Sequence, residues 1–309
     1  MKKHSGFTLI ELMIALALGL VVVAAATLLF LTGSRSSAMQ NGMSDLQDNA
    51  NFGLNYITQD IRLANLNNVS AAVNDELLLG GIVLSQNNYP ESMRPQPDPD
   101  NPTAPPAAMN PILLSGEGGG ASNVEQGSDQ LVIQYQPMDG EGFDCEGRTI
   151  TDENRVIVQR YFLRVDANAS ATETRPLALA CDAGHYVVGS TTIQNYGDGG
   201  EIIMKRVDHF RVLLNVSGPA GKRYISIDDY MDLTNKPRIL GVSLGALTRS
   251  SQSVGTDTSA AQVNAFTILD QNVEVAATGN PTGYIRRVVT QDVALRNALG
   301  EREQETSNE

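Results

Sequence analysis

Three hundred and nine residues, 41% of them apolar and 18% charged, are enough to build the core of one large domain or two small ones, and too apolar for a disordered chain. A slightly negative mean hydropathy excludes a protein with many membrane spans. The net charge of −13, with no Trp and 5% aromatic residues, disfavours both a phosphate-binding surface and a single-strand stacking platform, so no nucleic-acid partner is expected.

The first element is an apolar run over residues 7–31, in which 21 of 25 residues are apolar; Thr8, Glu11, Gly19 and Thr27 are the exceptions. As a helix it spans roughly 37 Å, more than the hydrocarbon core of a bilayer. Lys2 and Lys3 precede it, which orients the N-terminus to the cytoplasm and exports the remainder. The run is too long for a signal-peptide core and no A-x-A cleavage pattern follows it. Glu11 sits at depth in this run, where an unpaired carboxylate costs roughly 2.5–3.5 kcal/mol on insertion scales and calls for a partner.

Ser5-Gly6-Phe7-Thr8-Leu9-Ile10-Glu11-Leu12, behind a short basic leader and ahead of the long apolar helix, resembles the type IV prepilin signature. The resemblance implies cleavage of leader 1–6 between Gly6 and Phe7 by a prepilin peptidase, followed by N-methylation of Phe7. It also implies an assembly role for Glu11, whose carboxylate would pair with the Phe7 ammonium of a neighbouring subunit.

Beyond residue 31, Leu46, Ala50, Leu54, Ile57, Ile61 and Ala64 recur at spacings of three and four among polar residues, and the first proline is Pro90. One continuous helix is therefore expected over 7–66, roughly 90 Å long, with a membrane half (7–31) and an amphipathic half (32–66) that packs on a head. Gly33, Gly42 and Gly53 are expected weak points along it. Residues 90–111 hold eight of the thirteen prolines, and Gly118-Gly119-Gly120 follows, so 90–123 is expected to be a surface loop without regular structure. Strands are expected at 130–136, 155–165, 202–216, 223–227, 239–247 and 284–295, with a polar loop at 250–264 and a polar tail at 300–309. The fold class is thus α+β: a long N-terminal helix on a large, mostly antiparallel β head over 67–299.

No enzymatic constellation emerges. Gly241-Val242-Ser243-Leu244-Gly245 matches a nucleophile elbow by letters only, because it lies in an expected strand and no histidine follows it. His185, after a Cys-Asp-Ala-Gly turn, and His209, in a strand, read as structural or surface residues. Asp139, Glu141, Asp144 and Glu146 form an oxygen-rich loop of the kind that holds calcium, but the EF-hand spacing is absent; a solvated acidic loop is preferred, and no metal or other cofactor is assigned. Cys145 and Cys181, the only cysteines, lie in the exported part, where an even count points to a bridge worth roughly 4 kcal/mol in the chain-entropy picture.

Segments 56–64, 127–131, 207–213, 241–250 and 286–297, the last ending Leu295-Arg296-Asn297, resemble the PilW family of minor pilins and, more distantly, the J-type pseudopilins of type II secretion. That resemblance implies a non-catalytic subunit of the inner membrane that joins other minor pilins and the major pilin on the assembly platform. It would prime the pilus, sit at its tip, present a tip adhesin and support adhesion and twitching motility. The alternatives are a secretion pseudopilin and a tip subunit of a competence pilus.

Overall fold

The computed structural model describes residues 8–98, 101, 106–139, 141–171, 173–218, 221–256, 259–276 and 282–299. Leader 1–6, Phe7 and tail 300–309 lie outside the described residues. One helix, α1 (Leu9–Ile61), runs unbroken for 53 residues, about 80 Å. Its buried positions are Gly42, Leu46, Ala50, Gly53, Leu54, Ile57, Thr58 and Ile61, a single stripe at helical spacing that starts only in the second half. Gly42 and Gly53 are not weak points but close-approach sites: a Cβ on Gly53 would lie 2.8 Å from Cβ of Met204.

The head holds two antiparallel sheets. The first has order β1-β2-β3-β4-β5, from β1 (Gly116–Gly120), β2 (Ser128–Tyr135), β3 (Arg155–Val165), β4 (Leu177–Val187) and β5 (Glu201–Lys205). The second has order β11-β8-β6-β7, from β6 (Val207–Gly218), β7 (Gly221–Ile225), β8 (Ile239–Arg249) and β11 (Arg286–Ala294). A two-stranded hairpin, β9 (Ala265–Ile268) and β10 (Gln271–Glu274), packs Ile268 and Val273 on Leu247 and Val288 of the second sheet. The main core joins the stripe of α1 to both sheets through Leu131, Ile133, Tyr161 and Leu179 on one side and Phe210, Val212, Leu244 and Ala246 on the other. The expected α+β architecture, a long helix packed on an antiparallel head, is what the chain forms.

Several boundaries differ from expectation. The helix ends at Ile61 rather than 66, because Asn65 (φ 63°) takes a left-handed conformation, which asparagine tolerates, and turns the chain. Its backbone N–H donates to Gln134 O, while its side chain donates to Ser70 O and Asn297 O and accepts from Gly81 N and Asn68 Nδ2. The expected strand 202–216 is two strands in different sheets, separated at Arg206 (φ 57°). The expected strand 223–227 ends at Ile225, and Ser226 caps a one-turn helix, α2 (Ile227–Met231). Cys181 to His185 is not a turn but the middle of β4, and the Gly-rich end of 90–123 is not an unstructured loop but β1, paired to β2. These glycine-bearing strands lack alternating β-branched residues; their neighbours, not their own propensity, place them in the sheet.

The end of α1 is closed from a distance. Asn297, just past β11, donates through Nδ2 to the carbonyls of Arg62, Leu63 and Ala64 at 3.1, 3.5 and 3.2 Å. Helix carbonyls with no i+4 partner need such a donor. Asn297→Ala is expected to cost about 1–2 kcal/mol and leave secondary structure intact, as measured by chemical denaturation of the full chain in detergent.

Candidate assembly interface

From Thr8 to Ser37 every residue of α1 is exposed, including Leu9, Ile10, Leu12, Leu16, Val21, Leu28 and Phe30. The apolar window that is long enough to cross a membrane has none of its residues buried in the protein. Polar groups inside this run are satisfied within the helix, as a lipid environment demands. Thr27 Oγ1 donates to Val23 O at 2.9 Å. At the start, Thr8 and Glu11 form a capping box: Thr8 N and Oγ1 both donate to Glu11 Oε2 at 2.9 Å, and Glu11 N donates back to Thr8 Oγ1 at 3.3 Å. The carboxylate therefore sits on the N-terminal end of α1, where the unpaired N–H groups favour negative charge. This role for Thr8 was legible as Thr-x-x-Glu before an apolar run. Gly6 and Phe7 lie outside the described residues.

Cys145 and Cys181 form the disulfide, with Cα atoms 6.1 Å apart, and both are buried. It ties the acidic loop to β4, and Tyr56 on α1 donates to Cys145 O at 3.1 Å, so the bridge also holds the helix. The acidic residues of that loop do not converge. Asp139 and Glu141 are exposed, whereas Asp144 accepts from Glu146 N, Arg148 N and Arg148 Nε and so shapes its own turn. Among the described residues the carboxylates that do converge are Glu146, Asp182 and Asp198, and guanidinium groups already meet two of them: Arg148 pairs with Glu146, and Arg160 with Asp182 at 3.3 Å.

Ser243 lies within β8, not on a strand-to-helix turn, and the glycines around it serve packing: a Cβ on Gly245 would lie 2.7 Å from Cγ2 of Ile268 in the β9–β10 hairpin. His209 is fully buried in β6; Nδ1 faces Ser122 Oγ at 3.2 Å and Nε2 faces Gln271 Oε1 at 3.3 Å. Burial lowers its pKa to about 4, with the Gln271 hydrogen bond opposing and the Arg211 charge assisting. Asp60 on α1 accepts from Tyr161 Oη at 2.8 Å, and burial with repulsion from Asp144 raises it to about 6.

Residues 1–27 match the family described as prokaryotic N-terminal methylation motif. That N-terminal segment is type IV prepilin-like. No curated protein sequence matches it. Among solved structures, a type IV-like pilin from Thermus thermophilus is similar at 14% identity and a TM-score of 0.37, covering 82% of this chain and 96% of the other. The exposed apolar half of α1 overlaps the matched motif, and the head packs on the other half of the helix.

The neutral burial of His209 has a pH consequence. A base whose folded pKa lies below its unfolded value stabilises the fold fully above about 6.5 and loses that contribution as pH falls through about 4. The stability gap between wild type and His209→Gln should shift against wild type by about 3 kcal/mol between pH 7 and pH 4, read by denaturant titration at each pH.

Proposed function

We propose that this chain is a minor pilin of the PilW type that primes type IV pilus assembly and sits at or near the pilus tip with other minor pilins. The observation that carries the proposal is the division of α1: an apolar half exposed on all sides, opened by Thr8 and Glu11, continues without a break into a half buried in a broad two-sheet head. The first half suits lateral insertion, first in the inner membrane and then among neighbouring helices, where Ala15, Ala17, Gly19 and Ala24 to Ala26 permit close approach. The broad head suits the end of a filament better than dense repetition along it. After cleavage between Gly6 and Phe7 by the prepilin peptidase, the Glu11 carboxylate pairs with the Phe7 ammonium of a neighbouring subunit, burying both charges together. The partners in this scheme are other minor pilins, the major pilin, the inner-membrane assembly platform and a tip adhesin, with the head in the periplasm before export to the surface.

Glu11→Ala should leave the head folded, since among the described residues Glu11 is exposed and bonds only Thr8, while sharply lowering recovery in sheared pili; normal recovery of a folded variant overturns the assembly role. A deletion strain is expected to lose twitching and keep exoprotein secretion. The reverse phenotype assigns the chain to a secretion pseudopilus.

A further inference from the structure

The second sheet ends on β11, whose pairing with β8 is regular over nine residues with no bulge, and which among the described residues has no strand on its other side. Two flanking bonds set the parity of its backbone: Ser250 N donates to Ile285 O, and Leu295 N donates to Leu240 O. Odd-numbered residues of β11 therefore bond inward to β8, and the N–H and C=O groups of Val288 and Thr290 point out of the sheet. A groove of about 330 Å³ runs along this edge, lined by residues 287–291 on one side and by α1 on the other. The α1 wall carries Gln47, Asn51 and Asn55, four residues apart and all exposed. Their amides have no hydrogen-bond partner among the described residues. Gln47 to Asn55 spans roughly 12 Å, about four residues of extended chain.

An open sheet edge beside a ladder of primary amides is complementary to one kind of occupant. The edge offers the donors and acceptors that a strand's backbone pairs with, and each amide offers a donor and an acceptor to the same backbone from above. Arg287 is the one charged side chain lining the groove, and its guanidinium is exposed without an ion pair among the described residues. We propose that the β11–α1 groove binds an extended strand of a partner polypeptide, antiparallel or parallel to β11, with neutral side chains and at most one carboxylate, which meets Arg287. The juxtaposition of the Val288 and Thr290 backbone with Gln47, Asn51 and Asn55 carries the proposal, which does not depend on whether the chain serves a pilus or a secretion system.

The test uses the full chain in detergent micelles and a labelled, acetylated and amidated hexapeptide, Thr-Val-Glu-Val-Thr-Val. Saturable binding by fluorescence polarisation is expected, with slowed amide exchange at Val288 and Thr290. Thr290→Pro, which removes an outward N–H and leaves the β8 ladder intact, should abolish binding. The triple variant Gln47→Ala, Asn51→Ala, Asn55→Ala changes only exposed positions on a helix and should weaken binding about tenfold, the scale of one or more lost net hydrogen bonds. Absence of saturable binding, or binding that the triple variant leaves unchanged, overturns the proposal. It is overturned equally if the two amides are protected without peptide and lose that protection when residues 300–309 are deleted, since the chain's own tail then fills the groove.

Discussion

The structure depends on how a helix of 53 residues is stopped and held at one end. Without a proline or glycine to terminate it, α1 is closed by two asparagine side chains, Asn65 just past its end and Asn297 more than two hundred residues away. Asn65 turns the backbone and bonds Ser70, Asn297 and Gly81; Asn297 returns from the far end of the sequence to cover the last carbonyls. The Asn65 contacts and the Asn297 bond to Ala64 O are half-buried or buried, and each of those groups left unpaired would cost more than the net value of its bond. The buried half of the helix is thereby tied to the head, and the exposed apolar half extends from it.

A second constraint is a set of charge networks, one within the second sheet and one between the two sheets. Arg249 and Arg286 meet Asp208, and Arg249 also meets Glu173, with three of these four side chains almost fully buried. Arg211 meets Asp129, Glu117 and Asp270 beside it, and burial pushes Asp129 up to about 6 despite the guanidinium. Buried ion pairs of this kind add little to stability over well-packed apolar groups, but losing one partner strands the other charge. They join segments far apart in the chain: Asp129 at the start of β2, Asp208 and Arg211 in β6, Arg249 in β8 and Arg286 in β11.

The long helix, its two halves and the prepilin-like start were legible because they rest on local pattern: apolar runs, spacing of three and four, and a charge leader. Most long strands were legible for the same reason, since β-branched alternation survives at β3, β8 and β11. β1, β4 and the β9–β10 hairpin were not. β1 is Gly116-Glu117-Gly118-Gly119-Gly120 and β4 centres on Cys181-Asp182-Ala183-Gly184, and neither has intrinsic strand preference; each is a strand because a neighbour pairs with its backbone. The break at Arg206 was invisible because apolar residues continue on both sides while the chain passes from one sheet to the other.

Length, composition and charge at first describe an ordinary acidic globular protein, and the uneven placement of apolar residues alone turns that into one exposed membrane-length helix and a polar head. That much is a property of sequence, because burial in lipid and helical periodicity depend only on neighbours along the chain. What tertiary structure decided is everything that depends on distant partners. It made Gly53 and Gly245 packing sites, held His209 neutral in the core, and left one sheet edge open beside a row of amides. Those outcomes follow from which surfaces meet, and the free energy of a contact is set by both of its sides.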